Sequence, residues 1–513
     1  MKRDIVFCVI VALISIVQLF SCNNASRFPS KNAEKGFHLA QQYCKSCHQF
    51  PEPELLDKTT WAQYVLPKMG GFLGFRYMGQ NAYFESGHQA MPVDDWNKIV
   101  LYYYVSSPSE PVKRKEDITI KTGLKLFSVV NPSFAVKSPA TTLVSTDETK
   151  GLIDFGDGSQ GQLYEYECIN GKIRDSLPVG TGISNLRKSK TAYWVLTMGV
   201  LHPSDEKSGK LVTIDYVDKK QTIILDSLRR PVYASYDDLN NDSLADIIVC
   251  EFGDNAGALS WFENRGNNKY IQHVLRALPG AIETDVYDFN KDGMPDIIAL
   301  MAQGDEGLFV YYNSSGGKFK EERLLQLPPS YGSNSFQLAD FNHDGFIDII
   351  ATNGDNGDYP PILKAYHGIR IYLNDGKNKF SQKVFLPVNG VGKVIAKDFD
   401  QDGDLDIASI AYFPDFEHTP QEGFIYWENK GNLSFEPSSF KEVSHGRWLT
   451  MDAGDIDNDG DLDIVIGNAN FSLGNVPLQI KNQWDIFSPS FFILKNSLDS
   501  IKKSDRLNQV EYP

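Results

Sequence analysis

The residues of this chain whose types and spacing point most directly to chemistry are Cys44, Cys47 and His48, in the pentapeptide Cys-Lys-Ser-Cys-His. The spacing C-x-x-C-H suits covalent haem attachment, because two thiols one turn apart can add to the two vinyl groups of one porphyrin. The next residue then offers its imidazole to the iron. The alternative is a redox or zinc C-x-x-C followed by an incidental His, but the sequence has no second C-x-x-C to complete a zinc site. The motif therefore predicts haem c and electron transfer.

Two segments predicted as helices flank the haem motif. Residues 33–43 precede it, and two prolines after it prevent the first helix from continuing. The second helix follows Met91, with Asp94 and Asp95 as predicted N-terminal caps. One apolar face at helical spacing comes next, made of Trp96, Ile99, Val100 and Tyr103.

This arrangement over residues 28–108 resembles the small, all-α, single-haem cytochrome c domain. The resemblance implies that Cys44 and Cys47 carry the thioether bonds, that His48 is the proximal iron ligand and that Met91 is the distal one. A thioether ligand favours reduced iron, so a His/Met pair raises the reduction potential relative to two His ligands. The sixth position has other candidates, namely Met69, Met78, His88 and an open site.

The N-terminus resembles a bacterial lipoprotein signal peptide over residues 1–22. Two basic residues precede an apolar run from residue 5 to residue 20, and Leu-Phe-Ser then leads to Cys22. The run is short for a transmembrane helix, and acyl chains on Cys22 would hold the protein at a membrane surface without spanning the membrane. The alternatives are an ordinary signal peptide and an uncleaved anchor. We therefore expect a lipid-anchored protein of the bacterial cell envelope.

A nine-residue acidic pattern recurs five times farther along the chain, with starts at residues 238, 288, 340, 398 and 455. Oxygen donors at positions 1, 3, 5 and 9, completed by the carbonyl of position 7, form a cage that suits Ca²⁺. The predicted ligands are Asp238, Asn240, Asp242, Asp246, Asp288, Asn290, Asp292, Asp296, Asp340, Asn342, Asp344, Asp348, Asp398, Asp400, Asp402, Asp406, Asp455, Asp457, Asp459 and Asp463.

The flanks of these loops exclude a helix–loop–helix calcium site. Such a site needs Glu at position 12, where this chain has Val249, Ala299, Ala351, Ser409 and Ile466 inside apolar runs predicted as strands. Position 6 is Gly in four copies, which lets the chain reverse sharply, and Ser243 replaces it in the first copy. The substitution predicts a weaker first site.

The loop and strand pattern resembles the FG-GAP/VCBS repeats of integrin-type β-propellers, strongly over residues 232–480 and weakly from residue 121. The resemblance implies an all-β propeller of about seven blades over residues 121–500. Two blades, near residues 141–177 and 183–227, would lack calcium loops. The predicted domains are a signal peptide, a haem domain, a linker at 109–120, the propeller and a tail at 501–513.

The formal charge of −16 needs no cationic partner to explain it. Three of the twenty predicted ligands are Asn and the other seventeen are carboxylates, so the loops alone account for the excess. The chain has no basic stripe, and nucleic-acid binding is therefore not predicted.

Two functions fit these features. In the first, a membrane-anchored cytochrome relays single electrons to a redox partner protein, while long propeller loops on the face opposite the calcium loops bind a protein or glycan. In the second, the propeller oxidises a small substrate such as a sugar or alcohol and passes the electrons to haem, as in quinohaemoprotein dehydrogenases. The sequence shows no signal for the additional cofactor that the second function needs.

Overall fold

The computed structural model describes residues 28–498 except 80–81, 86, 115–117, 133–135, 137, 148–150, 358–359, 472–473 and 475. The predicted signal peptide with Cys22 and the predicted C-terminal tail lie outside the described residues. The chain divides into two compact units. Residues 28–43 and 56–110 belong to the first unit, and residues 44–55 and 111–498 group in the second.

The described part of the first unit consists of short helices and one hairpin. The helices are α1 (Lys31–Tyr43), α2 (Lys58–Thr60), α3 (Leu66–Phe72) and α4 (Val93–Ser106), with a π-helical turn, Trp61–Val65, between α2 and α3. Strands β1 (Phe75–Tyr77) and β2 (Tyr83–Glu85) pair antiparallel. Both helices predicted to flank the haem motif are present.

The start of α4 corrects one prediction. Pro92 occupies the N-cap position and makes no side-chain capping bond, whereas Asp94 and Asp95, predicted as caps, lie inside the first turn. The fixed φ of proline, here −59°, presets the chain for the turn into a helix that begins at Val93. The two carboxylates still favour the helix because they lie at the positive end of its dipole.

Helices α1 and α4 cross in close contact at Gly36. A Cβ atom at this position would lie 1.9 Å from the carbonyl oxygen of Lys98, so only glycine permits the approach. Beside the crossing, the rings of Phe37 and Tyr102 lie 5.4 Å apart. Trp96 is fully buried and stacks on Phe75 with ring centroids 5.5 Å apart. These aromatic contacts form the core of the first unit.

The second unit contains a seven-bladed β-propeller, in which each blade has four antiparallel strands and the sheet of blade 6 has a fifth strand added in parallel. Two strands precede blade 1 in the chain, β3 (Lys121–Thr122) and β4 (Phe127–Val130). Blade 1 contains β5 (Thr141–Asp147), β6 (Leu152–Asp157), β7 (Gln162–Glu167) and β8 (Lys172–Pro178). Blade 2 contains β9 (Ile183–Lys188), β10 (Ala192–Thr197), β11 (Gly209–Asp215) and β12 (Gln221–Leu228). Blade 3 contains β13 (Pro231–Asp237), β14 (Asp246–Glu251), β15 (Ala258–Asn264) and β16 (Tyr270–Arg276).

Blade 4 contains β17 (Ala281–Tyr287), β18 (Asp296–Met301), β19 (Gly307–Asn313) and β20 (Phe319–Gln326). Blade 5 contains β21 (Ser333–Ala339), β22 (Asp348–Asn353), β23 (Gly368–Asn374) and β24 (Phe380–Pro387). Blades 6 and 7 contain β25 (Val391–Lys397), β26 (Asp406–Ala411), β27 (Phe424–Asn429) and β28 (Phe435–Ser439); and β29 (Trp448–Gly454), β30 (Asp463–Asn468) and β31 (Phe491–Asn496). The prediction of seven blades, two of them without acidic loops, is confirmed.

The ring of blades is closed by the chain segment that precedes blade 1. Strand β4 pairs antiparallel with β31 and supplies the outer strand of blade 7. Strand β3 adds to blade 6 in parallel with β28. Closure therefore joins two segments more than 300 residues apart in sequence, and it leaves no open seam between the first and last blades.

Part of the predicted linker belongs to the propeller. Arg114 Nη1 donates to Glu422 Oε1 at 2.9 Å, and the Glu422 side chain is 1% exposed. Ile118 and Ile120 pack against the apolar cluster between blades 5 and 6. The chain thus contacts the propeller at Arg114, Ile118 and Ile120.

The propeller core lies between neighbouring blades. The second strand of every acidic-loop blade is buried along its whole length, as the apolar runs predict. Side chains of blades 3 and 4 form one shared cluster, and those of blades 2 and 3 form another.

A helix that the sequence did not predict, α5 (Leu478–Ile486), lies in the connection between β30 and β31. Within the described part of the chain, no helix has the length and apolar character needed to span a membrane.

Candidate functional site

The five acidic loops, each joining the first and second strands of a blade, share one hydrogen-bonded shape. In blade 4, the position-1 carboxylate accepts two backbone N–H groups: Asp292 N lies 3.0 Å from Asp288 Oδ1 and Gly293 N lies 2.8 Å from Asp288 Oδ2. Position 5 accepts in turn, with Met294 N 2.9 Å from Asp292 Oδ1. The same bonds recur in the other four loops. Each loop therefore curls around its own carboxylate oxygens.

Two residues with left-handed backbone conformation produce the curl. The sequence indicated one of them, position 6, where the four glycines have φ of 82° to 102° and Ser243 has φ of 67°. The other is position 4, whose φ lies between 57° and 60° in all five loops. This position is occupied by Asn241, Lys291, His343, Gln401 and Asn458. Because its residue types vary, spacing alone did not reveal it.

Replacing Ser243 with glycine is expected to stabilise the first loop. A side chain in the left-handed region costs about 1 kcal/mol, and Ser243→Gly removes this strain without removing a loop hydrogen bond. We expect a higher melting temperature in excess chelator, measured by circular dichroism. Ser243→Ala is the matched control because it keeps the Cβ atom. If the glycine variant were no more stable than the alanine variant, the expected backbone strain at Ser243 would be contradicted.

The position-9 aspartates are the most buried members of the loops. All five, Asp246, Asp296, Asp348, Asp406 and Asp463, have 0% exposure. In four loops one carboxylate oxygen accepts the N–H of position 2, at 2.9 to 3.2 Å. In blade 6 that oxygen accepts the hydroxyl of Tyr426 at 2.7 Å. The other oxygen accepts a backbone N–H at the end of the third strand, at 2.7 to 2.8 Å.

The residue that donates this last bond is always asparagine, and sequence reasoning missed its role. The five residues are Asn264, Asn313, Asn374, Asn429 and Asn496. Each also donates its side-chain amide to the carbonyl of loop position 8, at 2.9 to 3.2 Å. The available signal was an Asn that ends the third strand of each acidic-loop blade. These asparagines tie each loop to a strand that is not adjacent to it in sequence.

Some of these amides also connect one blade to the previous one. Asn313 Nδ2 donates to the carbonyl of Leu239, at loop position 2 of blade 3, at 2.7 Å. Asn496 Nδ2 makes the equivalent bond to Phe399 at 3.0 Å. In blade 5, Asn378 takes over this role and donates to Phe289 at 2.9 Å. Polar bonds therefore connect neighbouring blades on the loop face.

Asp348→Asn is expected to destabilise the propeller whether or not a cation is present. An amide has only one acceptor atom, so one of two buried N–H groups would lose its partner, at a cost of about 2 kcal/mol. We expect a lower unfolding midpoint in urea with excess chelator. Asp344→Asn, at the exposed position 5 of the same loop, is the control and should change this midpoint little. Equal effects of the two substitutions would contradict the structural role of Asp348.

Two loops bring three carboxylates close together. Oxygens of Asp398, Asp400 and Asp402 lie within 4.8 Å of one another, as do oxygens of Asp455, Asp457 and Asp463. Burial, with repulsion from nearby carboxylates, raises the pKa of Asp463 to about 7. The same two causes raise the pKa of Asp406 and of Asp246 to about 6. A cation in the loop would relieve this repulsion, and an oxygen-only donor set suits a hard one.

The Cys-Lys-Ser-Cys-His segment, which is predicted to attach haem, follows α1 directly. Cys44–Ser46 forms a 3₁₀ turn, Cys44 is half-buried, Cys47 is exposed, and neither is in a disulfide. His48 Nδ1 lies 2.8 Å from the carbonyl oxygen of Gln49. A carbonyl only accepts, so Nδ1 donates this bond and the lone pair of His48 resides on Nε2.

The four residues considered as a sixth iron ligand in the sequence analysis belong to the first unit and differ in exposure. Met91 is 4% exposed, immediately before Pro92 and α4. Met69 is half-buried within α3, Met78 is 71% exposed and His88 is exposed. Burial thus distinguishes Met91 from the other three.

On the opposite face of the propeller, the aromatic residues of one long loop pack inward. The guanidinium of Arg447, a residue that sequence reasoning missed, lies 3.9 Å from the ring centroid of Tyr412 and 4.9 Å from that of Phe413. Its Nε donates to the carbonyl of Tyr412 at 2.7 Å. Phe416 is 8% exposed. These aromatics hold the loop against the propeller.

The acidic repeats match a known family description. Residues 238–299, 288–351 and 398–466 match the FG-GAP-like repeat, and each match begins at position 1 of an acidic loop. The chain therefore contains FG-GAP-like repeats arranged in a seven-bladed β-propeller.

Two curated relatives match part of the chain. A T-cell immunomodulatory protein homolog from Plasmodium falciparum is 30% identical over 141 residues, covering 24% of this chain and 18% of the relative. Integrin alpha-PS5 from Drosophila melanogaster is 33% identical over 96 residues, covering 16% of this chain and 10% of the relative. The chain thus spans less than a fifth of the length of these relatives.

Solved structures with detectable similarity include two that each cover about three quarters of this chain. The N-terminal domain of Nup159 aligns with a TM-score of 0.43 and 10% identity, covering 74% of this chain and 98% of that structure. Sqt1 from Saccharomyces cerevisiae aligns with a TM-score of 0.42 and 7% identity, covering 74% of this chain and all of that structure.

Proposed function

We propose that this protein transfers single electrons through haem c held by Cys44, Cys47 and His48, and that its propeller, stabilised by Ca²⁺, binds a partner. The hydrogen bond from His48 Nδ1 to Gln49 carries the proposal. It orients the ring and leaves Nε2 as the nitrogen available to iron, as in other metal-bound histidines. Haem c, when bound, accepts and releases one electron at a time.

The two thiols are suited to covalent attachment. Cys44 and Cys47 are three residues apart across the 3₁₀ turn, with an exposed thiol at Cys47. No second cysteine pair is present elsewhere in the sequence at C-x-x-C spacing, which disfavours zinc. Met91, the most buried of the four candidates, is the sixth ligand that we propose.

Calcium is the cation we propose for the five loops. Each loop collects carboxylate oxygens within one tight turn, an Asn amide oxygen joins them in the first three loops, and two loops bring three carboxylates within 4.8 Å. Neither nitrogen nor sulfur ligands occur at the four predicted ligand positions, which favours Ca²⁺ over transition metals. The bound cations would stiffen one face of the propeller, so that loops of the other face can present a rigid surface to a redox partner protein or to a protein or glycan ligand.

The cellular location is also a proposal. The lipoprotein-like signal ending at Cys22 supports attachment to a membrane of the bacterial envelope through acyl chains. Export from the cytoplasm agrees with the haem proposal, because bacteria attach haem c outside the cytoplasm.

Covalent haem is tested by expressing the full chain in a host that matures c-type cytochromes. We expect a haem-stained band that persists on a denaturing gel and that disappears in Cys44→Ser/Cys47→Ser, because thioether bonds are lost. Cys168→Ser, which changes a half-buried cysteine of the propeller, is the matched control. Stoichiometric zinc in place of iron would overturn the proposal.

The sixth ligand is tested on the haem-loaded protein. Met91→Ala should remove the weak sulfur-to-iron absorption and lower the reduction potential, because a soft thioether stabilises reduced iron. Met69→Ala should change neither property. The reverse result would reassign the distal ligand to Met69.

Calcium dependence is tested by melting with and without chelator. A site that is occupied at 100 times its dissociation constant stabilises the folded state by about 2.7 kcal/mol, so chelation should lower the melting temperature. Asp402→Asn should reduce the calcium-dependent gain. Asp404→Asn, a carboxylate at position 7 of the same loop, should preserve it, because position 7 supplies its backbone carbonyl. A melting temperature that chelation leaves unchanged would contradict the calcium proposal.

A further inference from the structure

Blade 2 lacks an acidic loop, and its connection is much shorter than those of blades 3 to 7. Strand β9 ends at Lys188 and β10 begins at Ala192, which leaves a turn of three residues. The same connection in blade 3 has eight residues, 238–245. A cavity of about 360 Å³ lies at this end of blade 2, and Ser189 and Thr191 of the short turn form part of its wall. Its volume is within the range of small-molecule sites.

The lining of this open cavity includes an aromatic ring and hydroxyl groups. Trp194 is paired in register with Thr213, and Thr213 is paired with Thr222. Residues paired directly across neighbouring strands present their side chains on the same side of the sheet, so the indole and two threonines form one surface. The ring of Tyr236 in blade 3 packs edge-on against the indole at 6.1 Å and positions it.

The rim of the cavity is polar and carries both signs of charge. Asp215 Oδ1 accepts the N–H groups of residues 217 and 218, and Asp218 Oδ1 accepts that of Lys220 at 2.9 Å. Among the described residues, neither Oδ2 atom has a hydrogen-bond partner, nor does the ammonium of Lys220. Asn268, from the turn between β15 and β16 of blade 3, completes the lining.

We propose that this cavity binds a neutral sugar, of one or two rings. A sugar ring has an apolar C–H face that can stack on Trp194, and hydroxyls that can pair with threonine, carboxylate and amide groups at the rim. Asp215 and Asp218 disfavour an anionic ligand, since their charges would repel it. Lys220 and the hydroxyl donors disfavour a simple cation. The pocket is separate from the haem motif and from the five acidic loops.

The test is calorimetric titration of the full-length protein, in saturating calcium, with glucose, galactose, mannose, N-acetylglucosamine, maltose and cellobiose. We expect at least one of these sugars to bind and to change tryptophan fluorescence. Trp194→Ala should weaken its affinity roughly tenfold, the upper end of what one aromatic contact contributes. Asp218→Asn, at an exposed position that cannot affect the core, should weaken it severalfold.

Trp484→Ala is the matched control, because Trp484 is a half-buried tryptophan of α5, whose indole donates to Ser444 in another part of the propeller. This variant should bind the sugar as the unmodified protein does. The proposal fails if no sugar in the panel binds, or if both Trp194→Ala and Asp218→Asn retain full affinity. Binding of choline or inorganic phosphate to the cavity, in place of a sugar, would also overturn it. None of these outcomes depends on haem content or on the calcium response.

Discussion

The propeller depends most on a buried carboxylate that closes each acidic loop. The position-9 aspartates are removed from water completely, yet each keeps both oxygens hydrogen-bonded. Burying a charge is costly unless such bonds are made, and this cost fixes where the surrounding backbone must lie. The first strand, the loop, the second strand and the end of the third strand therefore share one polar centre. Apolar packing between blades gives stability, while this centre determines the path of the chain.

The blades without acidic loops neutralise their carboxylates in a different way. Asp154 of blade 1 is 0% exposed, and burial raises its pKa to about 6. Lys188 of blade 2 contacts Asp154 and donates to Asp147 at 2.8 Å. The ammonium of Lys188 thus balances carboxylate charge between blades 1 and 2, as a cation is proposed to do in the other blades. Because Lys188 needs no loop around it, the turn after β9 can be short, and a short turn leaves space at the end of the blade.

The sequence predicted those features that repeat locally. The acidic loops, the buried second strands and the seven blades could be recognised because each repeat places the same residue types within about ten positions of one another. The asparagine contacts were missed because the separation between the position-9 aspartate and its asparagine varies from 17 residues in blade 4 to 33 in blade 7, so no fixed spacing marks them. Likewise, Arg447 meets Tyr412 across 35 residues of intervening chain. The left-handed backbone conformation at loop position 4 was not predicted, because several residue types adopt it in this chain.

The contrast between the two faces of the propeller bears on where ligands can bind. Long loops on the face opposite the acidic loops were expected to bind a partner, but in them His367 and Phe416 are buried, and the rings of Tyr412 and Phe413 pack on Arg447. Side chains that hold a loop in place cannot also contact a partner, so partner recognition on this face would depend on exposed residues of the same loop, such as Glu417 and His418. The acidic-loop face, in contrast, includes blade 2, whose three-residue turn is much shorter than the eight-residue loop of blade 3. A propeller built from unequal repeats therefore has room for a cavity at blade 2, where the lining residues are not needed to close an acidic loop.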